Sequence, residues 1–83
     1  MKIEILGTGC YKCIQLESLI HEVLRDVRRT DVEIQRIDNE RAIRKFMPLD
    51  EIPGLIIDGH LVSTARIPDR ATLVDWLGTK LEA

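Results

Sequence analysis

The stretch GTGCYKC at residues 7–13 decides how the rest of this 83-residue chain is interpreted. It contains both cysteines of the protein, Cys10 and Cys13. The isoleucine-rich residues 2–6 predict a strand before it, and apolar residues at helical spacing predict a helix after it. Two thiols at a strand-to-helix junction favour thiol–disulfide chemistry. A soft-metal clasp and a pair of inert thiols are the alternatives.

Size and charge limit the class of protein. The 83 residues form one domain, 1–83, since the chain is too short for a second core. A net charge of −2 gives no reason to expect nucleic acid or an anionic membrane as a partner. We interpret Arg25, Arg28 and Arg29 as the solvated end of a helix, where cations favour the negative end of the dipole.

The beginning of the chain predicts a compartment. Residues 1–6 are too short and too charged for a signal peptide, and no apolar run approaches the length of a membrane span. We therefore expect a cytoplasmic protein without membrane association. In the cytosol lasting disulfides are uncommon, so a close cysteine pair is more often catalytic or metal-binding.

Hydrophobic periodicity predicts the element order β-α-β-α-β-β-α. The expected ranges are 2–6, 13–29, 32–37, 40–47, 55–57, 60–64 and from about 68 onward. The first three elements form a βαβ unit with parallel strands, whereas Asp58-Gly59 predicts a tight turn between antiparallel strands. The expected fold class is α/β, a four-stranded mixed sheet carrying three helices.

Two predicted helices carry inward-facing residues. Pro48 is expected to end the second helix near Met47. The apolar faces of the second and last helices are expected to comprise Ala42, Ile43 and Phe46, and Leu73, Val74, Leu77 and Leu81, respectively. Trp76 is expected to be a partly buried core residue.

The position of each cysteine predicts its role. Cys10 falls at the start of the helix, where unpaired backbone N–H groups and the positive end of the dipole stabilise a thiolate. Lys12 adds a little through space. Cys13 lies one turn later and is expected to be more buried. We therefore expect Cys10 to attack and Cys13 to resolve the mixed disulfide.

The alternatives demand more than this sequence offers. The first alternative is a metal-binding module, in which the two thiolates hold Cu(I) or Zn(II) or share an iron–sulfur cluster between subunits. Two thiolates leave zinc short of four ligands, so this module would require a dimer or outside ligands. His21 and His60 lack the short spacing of a zinc site, and we expect no bound metal. A non-catalytic interaction domain that uses the cysteines as a redox switch is the second alternative.

Two further residues are candidates for the site. Glu4, six residues before Cys10, is either a solvent-facing strand residue or a proton acceptor for Cys13. Tyr11 is either an ordinary exposed aromatic or a residue that covers the site and contacts substrate.

The sequence resembles the small thioredoxin-like proteins called redox-active disulfide protein 2. The resemblance extends over nearly the whole chain and is carried by MKIEILGTGC and Cys13 at residues 1–13, IPGLIIDG at 52–59, Val62-Ser63 and Pro68. It implies a minimal thioredoxin fold with sheet order 2-1-3-4 and a third strand antiparallel to the first.

The resemblance also implies a substrate-binding wall. It places Pro53 at the cis-proline of thioredoxin-like folds, although sequence alone favours a trans bond. The backbone of Ile52 would then pair with an extended substrate, and its side chain would form an apolar rim near the sulfurs. Tyr11 and Lys12 differ from the residues between the cysteines of thioredoxins and glutaredoxins, so neither redox potential carries over.

Together these features predict a thiol–disulfide oxidoreductase without a bound cofactor. We expect a monomer that acts on protein or small-molecule disulfides. An external reductant, a flavin-dependent reductase or glutathione, would restore the dithiol.

Overall fold

A computed structural model describes residues 1–78. Within that range the chain forms four strands, three α-helices and one 3-10 turn. Their bounds are β1 Lys2–Leu6, α1 Tyr11–Asp26, β2 Glu33–Ile37, α2 Glu40–Arg44, the 3-10 turn Leu49–Glu51, β3 Gly54–Ile57, β4 His60–Ser63 and α3 Arg70–Gly78. The predicted element order and the α/β class are confirmed.

The sheet is mixed and has the order β2-β1-β3-β4. β1 pairs in parallel with β2 and antiparallel with β3, and β3 pairs antiparallel with β4. The first of these pairings requires α1 as a crossover, while Asp58-Gly59 closes the hairpin between β3 and β4. The sheet order implied by the family resemblance is therefore confirmed.

Apolar side chains pack on both faces of the sheet. On one face Ile3 and Ile5 of β1 belong to a cluster with the buried residues of α1 and α3. On the other face Leu6 and Ile56 pack against Ile43 of α2 and Met47, which follows that helix. We call these the α1 face and the α2 face. Because β1 is covered on both faces, it is the central support of the fold.

α1 begins and ends earlier than the predicted range of 13–29. It begins at Tyr11 because Cys10 caps it, with the Cys10 Sγ accepting a hydrogen bond from the Cys13 N–H. It ends at Asp26 because Arg28 adopts a left-handed conformation with φ 57°. The Arg28 N–H then donates to the Arg25 carbonyl and the Arg29 N–H to the Leu24 carbonyl, a Schellman motif.

Arg29 is not a solvated helix-end residue, so that expectation was wrong for one of the three arginines. Its side chain is only 8% exposed. The guanidinium pairs with Asp31 at 2.8 Å and donates to the Leu77 carbonyl at 2.9 Å. It thereby connects the end of α1 to the C-terminal part of α3, where a cation also favours the dipole.

The predicted second helix, 40–47, is too long. α2 ends at Arg44, and the chain turns so that Met47 is buried and Phe46 is 47% exposed. Phe46 therefore does not share the buried face with Ile43, because the helical period stops before it.

The described part of α3 follows the prediction more closely. Leu73 and Leu77 are fully buried, whereas Val74 and Trp76 are partly buried against the α1-face cluster. Leu81, also expected to face inward, lies outside the described residues.

Replacing Arg28 with glycine is expected to stabilise the protein. Glycine adopts a positive φ without a steric cost, so Arg28→Gly should raise the free energy of unfolding by about 0.5–1 kcal/mol. Arg25→Gly is the matched control, since it also removes an arginine but lies inside α1. It should lower stability by about 0.5–1 kcal/mol. Urea unfolding of both variants measures this, and a change of the same sign in both would contradict the motif.

Candidate redox site

A tight connection between β1 and α1 carries the cysteines. Gly9 has φ 87°, a conformation that glycine adopts readily, and it turns the chain into the helix. Cys10 follows with extended backbone angles, φ −71° and ψ 168°, and occupies the N-cap position of α1. Its sulfur thus lies at the end of the helix where backbone N–H groups are unpaired.

The two thiols are in direct contact. The Cys10 and Cys13 Sγ atoms are 2.7 Å apart, and both cysteines are free thiols. The Cys13 backbone N–H also donates to the Cys10 Sγ, at 3.4 Å. Cys10 is half-buried, whereas Cys13 is only 3% exposed. Cys10 is therefore the sulfur that an incoming disulfide can reach.

The pKa values of the two thiols move in opposite directions. The pKa of Cys10 is lowered, chiefly by the hydrogen bond from the Cys13 thiol, with smaller help from the backbone N–H groups of Cys13 and Lys12. Burial raises the pKa of Cys13, and its hydrogen bond to Cys10 raises it further. Negative charge in this pair accordingly belongs on Cys10.

Gly7 allows Cys13 to pack onto the end of the sheet. A Cβ atom at Gly7 would collide with the Cys13 Sγ. The Gly7 N–H donates to the Ile37 carbonyl at 3.0 Å, which continues the pairing of β1 with β2 by one residue. The sulfur therefore lies directly against backbone that the sheet holds in place. Sequence reasoning missed this role, although a glycine at the end of a strand was a visible signal.

Pro53 lies beside the same part of the sheet. The pairing of Leu6 with Gly54 puts Pro53 next to Gly7, on which Cys13 packs. The Ile52–Pro53 peptide bond is cis, and Pro53 is fully buried. The Pro53 carbonyl accepts a hydrogen bond from the Ala65 N–H at 3.1 Å. The structure thus brings the cysteine pair and Pro53 to one end of the sheet.

Ile52 precedes this proline and is half-buried. Its side chain packs against the α2-face cluster. Its backbone is extended, with φ −68° and ψ 148°. The segment therefore has a conformation that can pair with a strand-like peptide.

Glu4 is not brought to the cysteines. It is half-buried and pairs with Ile56 on β3, so it lies on the α2 face of the sheet. Cys13 packs on Gly7. Gly7 lies two residues after Ile5, so it is on the same α1 face of the sheet as Ile5. This placement does not support Glu4 as the proton acceptor, and that role stays a prediction.

The residues between the cysteines are solvent-exposed. Tyr11 is 75% exposed, and its hydroxyl accepts a hydrogen bond from the Gln15 side-chain amide at 2.8 Å. Lys12 is exposed as well. Ile14, which sequence reasoning missed, is 56% exposed directly after Cys13. The signal that could have found it was an isoleucine outside the apolar stripe of α1, which comprises Leu16, Leu19, Ile20, Val23, Leu24 and Val27.

The described residues bear on the metal alternative and on membrane association. Among residues 1–78, no group of three or more His, Cys, Asp or Glu side chains is arranged to hold a metal ion. No helix in the same range is long and apolar enough to cross a membrane.

Comparison with known proteins identifies the family. Residues 1–78 match the family model described as thioredoxin domain. The chain belongs to the thioredoxin-domain family. It is also 34% identical, over 70 residues, to a curated thioredoxin of Methanothermobacter thermautotrophicus. The 70 aligned residues cover 84% of this chain and 88% of that protein. Membership in the thioredoxin family supports a function of the thiol–disulfide oxidoreductase type, with disulfides as the general class of substrate.

The contact between Gly7 and Cys13 can be tested by a double-mutant cycle. Gly7→Ala should lower the free energy of unfolding by about 1–3 kcal/mol, because the new methyl group overpacks against the Cys13 sulfur. The loss should be smaller when Cys13 is alanine. Gly9→Ala is the control: it adds backbone strain of about 1 kcal/mol but no contact, so it should not couple to Cys13. Equal coupling for both glycines would refute the assignment.

Glu4→Gln tests the remaining candidate for proton transfer. Because Glu4 and Cys13 lie on opposite faces of the sheet, we expect the pH profile for reduction of a model disulfide to be unchanged. The measurement is the rate constant for oxidation of the dithiol across a pH series, in the variant and the unmodified protein. A displaced profile would assign the proton to Glu4 despite its placement.

Proposed function

We propose that this protein reduces or exchanges disulfides, with Cys10 as the attacking thiolate and Cys13 as the resolving thiol. The observation that carries the proposal is the 2.7 Å contact between a half-buried Cys10 sulfur at the N-cap of α1 and the buried Cys13 sulfur. The lowered pKa of Cys10 and the raised pKa of Cys13 agree with that geometry. The thiolate is the nucleophile in thiol–disulfide exchange. The reachable sulfur is thus the one that loses its proton more easily.

The reaction has two steps. The Cys10 thiolate attacks one substrate sulfur and forms a mixed disulfide, while the other substrate sulfur leaves as a thiolate and takes up a proton. Cys13 then loses its proton and attacks the Cys10 sulfur, which releases the second substrate thiol. One substrate disulfide is reduced to two thiols, and the protein dithiol is oxidised to the Cys10–Cys13 disulfide. The two sulfurs are already in contact, so the second attack needs no movement across the site.

The surface around the pair supports substrate-contact roles for four residues. Tyr11 and Lys12 directly follow Cys10 and are both exposed. The extended backbone of Ile52, before the buried Pro53, supports pairing with an extended substrate segment.

Reduction of the Cys10–Cys13 disulfide back to the dithiol requires a reductant from outside the chain. We propose a flavin-dependent reductase, or two molecules of glutathione that become glutathione disulfide; either supplies the two electrons that the substrate has taken. We further propose membership of the redox-active disulfide protein 2 group, supported by the segments at 1–13 and 52–59. The monomeric state, the cytoplasmic location and the lack of a bound cofactor stay predictions.

Alkylation across a pH series tests the assignment of the two cysteines. In the reduced protein, Cys10 should react with iodoacetamide at a pH below that of an ordinary thiol, because its lowered pKa keeps it anionic as the pH falls. Cys13 should react only at higher pH, since its pKa is raised. Mass spectrometry of each cysteine-containing peptide gives the two midpoints.

Two variants at position 13 separate the hydrogen bond from other effects. Cys13→Ala removes the donor to the Cys10 sulfur, so the Cys10 midpoint should rise. Cys13→Ser keeps a hydroxyl donor, so the pH midpoint of Cys10 alkylation should rise less in this variant. Cys13→Ser should also accumulate a mixed disulfide with substrate, and Cys10→Ser should show no reduction above background. Earlier alkylation of Cys13 than of Cys10 would overturn the assigned order.

A further inference from the structure

The outer surface of α1 exposes apolar side chains next to the attacking cysteine. Tyr11 and Ile14 are both exposed, and residues three or four apart lie on the same face of a helix. Tyr11, Ile14, Gln15 and Ser18 therefore form one strip that begins beside Cys10. The hydrogen bond from Gln15 to the Tyr11 hydroxyl fixes the first part of this strip. Exposed apolar side chains beside a reactive sulfur suggest a surface that a partner covers.

A groove of about 390 Å³ lies along this strip. Its lining consists of Ile14, Gln15, Ser18, Leu19, Glu22 and Ile67. Ile67 comes from the segment between β4 and α3, so the groove lies where that segment meets α1. Leu19 and Ile67 are half-buried and pack against the α1-face cluster. The apolar part of the groove is therefore attached to the core, while Ile14 extends from it toward solvent.

The lining offers no unpaired charge. Its single ionisable residue is Glu22, and the Glu22 carboxylate pairs with the Arg70 guanidinium at 3.1 Å. A charged group that entered the groove would lose water without gaining a counter-ion, which costs free energy. A neutral apolar group would lose no such hydration and would cover Ile14, Leu19 and Ile67.

The distance from Cys10 fits a neighbouring side chain of the substrate. Ile14 is the lining residue nearest to Cys10 along α1. It lies four residues beyond Cys10, about 6 Å along the helix axis, and the groove extends from there toward Glu22. An extended peptide covers that length in two residues, at about 3.3 Å each. The groove volume is near the lower end of the range for small-molecule sites, about 300–1,000 Å³, and so suits one or two side chains.

We propose that this groove binds an aliphatic side chain located two residues from the cysteine of a polypeptide disulfide. The inference rests on the proposed oxidoreductase function and names the substrate class for the same site. The protein then prefers polypeptide disulfides with an apolar neighbour to disulfides flanked by carboxylates. Glutathione disulfide, with its free carboxylates, belongs to the poorer class.

Symmetric peptide disulfides provide the test. The probes are disulfide-linked dimers of acetylated, amidated peptides with the sequences Leu-Gly-Cys-Gly-Leu, Ser-Gly-Cys-Gly-Ser and Glu-Gly-Cys-Gly-Glu. The second-order rate constant for oxidation of the Cys10–Cys13 dithiol is measured by quenching with an alkylating agent. We expect the leucine probe to react about tenfold faster than the serine probe, which corresponds to about 1.4 kcal/mol. The glutamate probe should be the slowest.

Two variants remove the preference by different means. Ile14→Ser takes away the apolar wall, and Ser18→Trp fills the groove. In both, the ratio of leucine to serine rate constants should fall towards one, while the rate of Cys10 alkylation by iodoacetamide should not change. Arg25→Ser is the control, since Arg25 is exposed on α1 outside the groove, and it should keep the full ratio. Ile14→Ser decides the matter if Ser18→Trp does not fold.

The outcomes distinguish the groove from the function on which it rests. Equal rate constants for the three probes, or a ratio that survives both variants, would overturn the groove and leave the oxidoreductase function in place. Failure of every probe, and of glutathione disulfide, to oxidise the dithiol would overturn the proposed function itself.

Discussion

The contact of the Cys10 sulfur with Cys13 at the start of α1 is the interaction on which the functional part of the structure depends. One sulfur accepts two hydrogen bonds there. It caps the helix by accepting the Cys13 N–H, and it accepts the Cys13 thiol. Each of these favours negative charge on Cys10, and the last also retains the proton on Cys13. Helix capping and thiol activation are thus one local arrangement.

That arrangement needs support from distant parts of the chain. β1 delivers Gly7 to the point where Cys13 packs, and apolar clusters cover both faces of β1. The antiparallel pairing of β1 with β3 brings Pro53 alongside, and the Ala65 N–H holds the Pro53 carbonyl. Thus three sequence-distant segments meet at one end of the sheet. The half-buried Cys10 therefore lies at the edge of a surface that the sheet supports rather than on an isolated loop.

The same geometry divides the surroundings of the cysteines into surfaces of different character. The Ile52–Pro53 segment presents extended backbone, which suits pairing with a main chain. The strip on α1 presents Tyr11 and Ile14, which suit contact with apolar side chains. In the proposed mode of binding, the Ile52–Pro53 segment holds the backbone of a substrate and the strip on α1 holds one of its side chains. This division would allow general reactivity toward disulfides to coexist with a preference among polypeptides.

The sequence by itself determined the element order, the α/β class and the pairing of two thiols at a helix start. These depend on local signals: alternation of isoleucines, the apolar stripe of α1 and the Asp58-Gly59 turn. The tertiary structure decided what depends on contacts between distant residues. Such contacts account for the packing of Cys13 on Gly7, the face on which Glu4 lies, the burial of Arg29 against the Leu77 carbonyl and the groove between Ile14 and Ile67. Periodicity shows which side of an element is apolar. It does not show which distant segment covers that side, because that is set by the packing of the whole chain.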